Sequence, residues 1–148
     1  RNAGMVFSHL WATPGRGFRA RLGAMDVDVV ASAQEVLEIA EVEGQLRSSE
    51  PLPYTAGEVA YAHSKSDPAR RLAARLAAKR AAVRLLGTGI GAQDLEVLPG
   101  AGGPPRLALS PRAQERLRQL GAQRVLVSLT HERRHAAAAV LLLRSGSG

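Results

Sequence analysis

The chain has no cysteine. Disulfides, thiol nucleophiles and cysteine-ligated zinc are therefore excluded. Aromatic residues make up only 3% of its 148 residues, which argues against a platform for stacking single-stranded bases. Apolar residues nevertheless reach 45%, so the core is built from Leu, Val and Ala. Such a core gains little from each alanine and benefits from association with other chains. No apolar run has the length of a membrane span; the nearest, residues 135–143 (HAAAAVLLL), reads as a buried strand or helix. Acidic residues are missing from two stretches, residues 1–24 and residues 68–86.

What is present is an excess of basic side chains, with a formal net charge of +7. This points to polyanionic partners: nucleic acid, a phosphorylated cofactor or an acidic protein. Residues 1–24 carry Arg1, Arg16, Arg19 and Arg21. An arginine-rich, acid-free start is typical of a mitochondrial transit segment, and an ordinary extension is the alternative. The expected organisation is a basic extension over residues 1–24, one folded domain over residues 25–144 and a loose tail over residues 145–148.

Residues 25–30 (MDVDVV) alternate with a period of two and predict a strand that places Asp26 and Asp28 on one face. Val36, Leu37, Ile39, Ala40 and Val42 then fall near helical spacing, which predicts a helix over residues 31–46. Thr55 and Glu58 form a T-x-x-E capping box that opens a helix. Asp67-Pro68 opens a longer helix that Gly87 ends. That helix carries Arg70, Arg71, Arg75, Lys79, Arg80 and Arg84, with a narrow apolar stripe of Leu72, Leu76, Val83 and Leu86. Without acids of its own it forms no internal i,i+4 ion pairs. Its cations then repel one another unless an anion, such as a cofactor phosphate or an RNA backbone, lies nearby. Strands follow at residues 94–98 and from Arg106 to Leu109, separated by a Gly-Pro turn. Ser110-Pro111 caps another helix to Gly121, and residues 124–130 and 135–143 predict a closing strand pair. His131-Glu132-Arg133-Arg134-His135 matches the zinc-protease pattern H-E-x-x-H, but that pattern needs a helix. Here it follows a strand-like run and reads as a polar hairpin turn.

Residues 76–90, L-A-A-K-R-A-A-V-R-L-L-G-T-G-I, resemble the signature F-A-x-K-E-A-x-x-K-A-x-G-T-G of the holo-acyl-carrier-protein synthases, the small 4'-phosphopantetheinyl transferases. Asp28-Val29-Val30 is similar to that family's first strand, G-x-D-[IV]-[VI]. Gly103-Pro104-Pro105 is similar to its G-x-P turn, and V-S-L-T-H-E (residues 127–132) to its closing V-S-[IL]-[ST]-H. No single motif is specific; the ordered set over residues 25–143 is. The resemblance implies an α+β domain with a small sheet and a long packed helix. It implies a trimer with coenzyme A bound between subunits, Mg²⁺ on the pyrophosphate, and transfer of phosphopantetheine to a serine of acyl carrier protein.

Carried over position by position, Asp28 matches the strand carboxylate that holds Mg²⁺. Lys79 matches the conserved lysine and is the candidate catalytic residue. Arg84 stands at a second lysine, Arg75 and His131 stand where the family meets coenzyme A, and the resemblance makes Arg75, Lys79, Arg84 and His131 the expected cofactor-binding residues. Arg80 replaces the glutamate that is the second metal ligand, and Gln34 replaces an arginine, six residues after the strand acid, that docks the carrier protein. A cation at a ligand position repels Mg²⁺ and supplies no acceptor. Asp26 is the substitute carboxylate to consider, with a solvated strand residue as the plainer reading. Two functions follow. One is a transferase with an altered metal site. The other is a non-catalytic relative acting as structural subunit or assembly factor, for instance in a mitochondrial ribonucleoprotein, binding RNA or acyl carrier protein. The expected setting is the mitochondrial matrix, or else a bacterial cytoplasm. The expected assembly is a homotrimer or a complex with unlike proteins, with no membrane partner.

Overall fold

The computed structural model describes residues 9–12, 18–22 and 25–146. Within these, strands β1 (His9–Ala12), β2 (Phe18–Leu22) and β3 (Met25–Glu38) are followed by helices α1 (Ile39–Arg47), α2 (Ala56–His63) and α3 (Pro68–Leu86). A hairpin of β4 (Leu95–Leu98) and β5 (Arg106–Leu109), helix α4 (Pro111–Gln119), and strands β6 (Arg124–His131) and β7 (His135–Ser145) complete the chain. The main sheet is antiparallel in the order β1-β2-β3-β7-β6, and β4-β5 forms a separate pair. The α+β class holds.

One element differs from its sequence pattern. Residues 31–38 continue β3, and only residues 39–47 are helical. The backbone of β3 stays paired with the alanine-rich β7 from Val27 opposite Ser145 to Glu38 opposite His135, with a bulge between Val29 and Ala31. That continuous ladder outweighs the helical spacing, because Ala33, Glu35 and Leu37 turn toward α3 while Gln34, Val36 and Glu38 face outward.

Helix α3 crosses the inner face of β3 and β7 and carries the core. Its apolar surface is far wider than a stripe of four residues: Ala73, Ala74, Ala77, Ala78, Ala81 and Ala82 are all buried with Leu72, Leu76 and Leu86. They meet Ala136, Ala138, Val140 and Leu142 of β7. Small side chains on both surfaces let the helix approach the sheet closely, and that contact replaces the missing aromatics. Gly87 ends α3 with φ +88°, and Arg116 of α4 donates to the carbonyl of Leu86 at 2.6 Å. Gly121 (φ +80°) closes α4, with Ala122 N–H on Leu117 O and Gly121 N–H on Arg118 O, a Schellman stop.

Strands β1 and β2 lie within the segment expected to be a basic extension; the rest of residues 1–24 is outside the described residues, as are residues 147–148. The expected loose tail begins inside β7, and Gly146 N–H bonds to Asp26 O at 3.0 Å. The H-E-x-x-H run is a hairpin: His131 ends β6 and His135 starts β7. Among the described residues, no helix is long and apolar enough to cross a membrane.

Candidate functional site

Four of the six cations of α3 find acids, three of them on other elements and one at the helix's own N-cap position, which corrects the expectation that they lack partners. Asp67 takes Arg71 at 3.1 Å, Glu58 of α2 takes Lys79 at 2.7 Å, Glu41 of α1 takes Arg80 at 2.5 Å, and Glu35 of β3 takes Arg84 at 2.9 Å. Asp67 makes this ion pair and gives its helix no side-chain cap.

The Lys79–Glu58 pair is wholly buried, at 1% and 0% side-chain exposure. Glu58 Oε1 accepts from Lys79 Nζ and from Thr55 N–H at 2.8 Å, and Oε2 accepts from Val97 N–H at 2.8 Å. The capping box legible at Thr55 is thus one part of a clamp joining α2, α3 and β4. Nothing in the sequence pattern marks Glu58 as the partner of a lysine 21 residues away.

Two cavities flank α3. The first, of about 330 Å³, has Arg71 and Arg75 on one side and the turn Gly100–Pro105 and the β6 end at Ser128–His131 on the other. The turn is so tight that a side chain at Gly100 would collide with the backbone of Gly103 and Pro104. Arg75 is only 4% exposed. Its guanidinium stacks on the ring of Tyr61, 4.2 Å from the centroid, and donates to Arg71 O at 3.2 Å. Its Nε has no acceptor among the described residues. Burial pushes the Arg75 guanidinium below its ordinary value, and burial together with Arg71 lowers His131. Each cation would gain from an anion placed in this cleft.

The second cavity, of about 550 Å³, is lined by Lys79, Arg80, Arg84 and Glu35 with Leu76 and Val83. The sequence-derived residues therefore divide, with Arg75 and His131 in one cavity and Lys79 and Arg84 in the other. Asp28 lines neither. It is buried at the far end of β3, 3.5 Å from Arg144 of β7, and faces Arg19 of β2 in register. Asp26, exposed, faces Arg21 in register. Asp28 and Arg80 were expected to oppose one another, and the structure separates them. The strand carboxylate beside the α3 cations is Glu35, seven residues or about 23 Å further along the strand at 3.3–3.4 Å per residue.

No divalent cation fits this arrangement as it stands. Glu35 and Glu41 each already accept from a guanidinium, and no cluster of three or more His, Asp or Glu side chains suited to a metal occurs among the described residues.

No protein-family model matches the sequence. A holo-acyl-carrier-protein synthase of Moorella thermoacetica is 38% identical over 119 residues, covering 76% of this chain and 93% of its own length. The crystal structure of the Neisseria meningitidis holo-acyl-carrier-protein synthase superposes with a TM-score of 0.68 at 21% identity, over 77% of this chain and 98% of that one. That of Bacillus anthracis, in complex with CoA (3',5'-ADP), gives 0.63 at 27% identity, over 79% and 98%. With the fold, the ordered motifs and these relatives in agreement, the chain belongs to the holo-acyl-carrier-protein synthase family.

Proposed function

We propose that this chain is a phosphopantetheinyl-transferase-type protein that binds coenzyme A and has lost the divalent-metal site of the transfer reaction. The observation that carries the binding half is Arg75: a buried guanidinium with an unsatisfied Nε facing a cleft shared with Arg71 and His131. A buried cation with donors to spare is costly unless an anion completes it. The phosphates of coenzyme A supply that anion. The complex of the Bacillus anthracis relative with CoA supports the choice of ligand.

The metal half rests on a change of register. Between 76% and 81% of this chain matches 97–99% of each of these solved relatives, so about a fifth of the chain has no counterpart in them. We take that share to be β1, β2 and the start of β3, which contain Asp26 and Asp28. Asp26 and Asp28 then stand outside the family strand, opposite Arg21 and Arg19 in the β2–β3 register, and the acid–aliphatic–aliphatic pattern of the family strand falls on Glu35-Val36-Leu37. Six residues on from Glu35 stands Glu41, where the family has an arginine. Its ion-pair partner is Arg80, where the family has a glutamate. Two positions in contact have exchanged charge, which accounts for both replacements together and leaves the metal position occupied by a guanidinium.

The alternative, an RNA-binding subunit of an organellar ribonucleoprotein, draws less support. It needed a run of unpaired cations on α3, and four of the six are paired within the chain. Acyl carrier protein stays the proposed protein partner on family grounds. The family resemblance implies coenzyme A bound between subunits, and the separation of the two cavities around α3 suits a site completed by a neighbouring copy.

The test is calorimetric titration with 3',5'-ADP, the nucleotide end of coenzyme A, in EDTA. The wild type is expected to bind, and Arg75→Met to weaken binding at least tenfold while circular dichroism shows it folded. A folded wild type that binds neither 3',5'-ADP nor coenzyme A at millimolar concentration overturns the reading.

A further inference from the structure

Lys79, Arg80 and Arg84 line the second cavity beside Glu35, and these three cations are paired with Glu58, Glu41 and Glu35 in turn, in pairs that differ in how readily they exchange. Lys79–Glu58 is buried and each Glu58 oxygen is also held by a backbone N–H, so this pair is fixed. Arg80 and Glu41 are 39% and 42% exposed, and Arg84 is more exposed than its partner Glu35. Exposed pairs of this kind hold weakly and give way to a better acceptor. A guanidinium presents a planar fork that fits two phosphate oxygens, which a compact ammonium does not. The apolar wall of Leu76 and Val83 lowers the local dielectric beside it.

We propose that this cavity is a metal-independent diphosphate site, in which Arg80 and Arg84 release Glu41 and Glu35 and grip the phosphate oxygens directly, Arg80 standing in for the divalent cation. The proposal goes beyond coenzyme A binding at Arg75 and rests on that reading only for the ligand class. Glu41, held below its ordinary value chiefly by its hydrogen bond from Arg80, returns toward the ordinary carboxylate range when released, is still ionised near neutral pH, and is free to turn to solvent. Charge neutralisation at the diphosphate comes from two guanidinium groups, and the net charge of the cavity does not depend on dissolved Mg²⁺.

The experiment is titration of the full chain with inorganic pyrophosphate, in EDTA and in excess Mg²⁺. Binding is expected in EDTA, with Mg²⁺ leaving the affinity unchanged or lowering it by complexing free pyrophosphate. Arg80→Ala with Arg84→Ala is expected to lose at least tenfold. Arg112→Ala with Arg118→Ala on α4, which removes the same charge from pairs with Asp94 and Glu115, is the control and is expected to lose less than threefold. Absence of binding in EDTA, a tenfold gain with Mg²⁺, or equal losses in the two double variants each overturn the proposal. Pyrophosphate has no nucleotide, so any of these results leaves the Arg75 reading standing.

Discussion

Lys79 shows how burial decides a residue's role. Its ammonium is enclosed and bound to Glu58, so its first effect is on stability, whatever it does in catalysis elsewhere in the family. Lys79→Met leaves Glu58 charged and unpaired in the core, and is expected to cost about 3–5 kcal/mol, read as the urea midpoint. Pairing it with Glu58→Leu is expected to recover much of the loss, because the double change removes both buried charges, although Val97 and Thr55 then lose their acceptor. His131 makes a prediction in pH. Burial and Arg71 hold the free imidazole below its ordinary value, and a phosphate in the cleft would raise it. Binding then takes up a proton. Affinity for 3',5'-ADP should rise as pH falls through the bound-state pKa and level off below the free-state one. His131→Gln should flatten that rise, and comparing the two proteins isolates the imidazole, since the phosphate titrates in both. At this scale the sequence told less than the fold. Arg75 and His131 were legible as a pair because a motif places each of them. Glu35, Glu41 and Glu58 were not, because a carboxylate's partner across 21 to 49 residues leaves no local pattern.

Among the elements, α3 is where composition and packing coincide. Six buried alanines on the helix face the alanines of β7, and close approach fixes their size. Ala77→Leu is expected to overpack this contact and cost about 1–3 kcal/mol by denaturant midpoint, while the same change at exposed Ala40 of α1 is expected to lie within about 0.5 kcal/mol of wild type. Most elements were readable from capping and turn chemistry: Thr55 and Ser110 accept from the N–H three residues on, and Gly87 and Gly121 stop their helices. The strand β3 was readable only to residue 30. Its second half and the start of α1 carry Leu37, Ile39 and Val42 at a spacing that suits a helix as well as a strand that turns into one, and only the pairing with β7 resolves it. Under the proposed register, that single ambiguity also decides whether Asp28 or Glu35 corresponds to the family's strand acid.

For the whole molecule, the unpaired face of the main sheet points to association. Val36 is 63% exposed there, and Ala137, Ala139, Ser128 and Thr130 share its face by register. A small, flat, weakly polar face suits sheet packing against like copies. Val36→Asp is expected to lower the sedimentation coefficient toward that of a monomer; an unchanged value for a protein that sediments as an oligomer places the interface elsewhere. The same scale holds the central claim, that the family fold and coenzyme A cleft persist while an exchanged Arg80–Glu41 pair has closed the metal site. Its most direct test is the mass of apo-acyl carrier protein after incubation with this chain, coenzyme A and Mg²⁺. The unaltered chain is expected to add no phosphopantetheine to the carrier serine, and Arg80→Glu with Glu41→Arg to gain Mg²⁺-dependent transfer. Sustained Mg²⁺-dependent transfer by the unaltered chain would contradict the account.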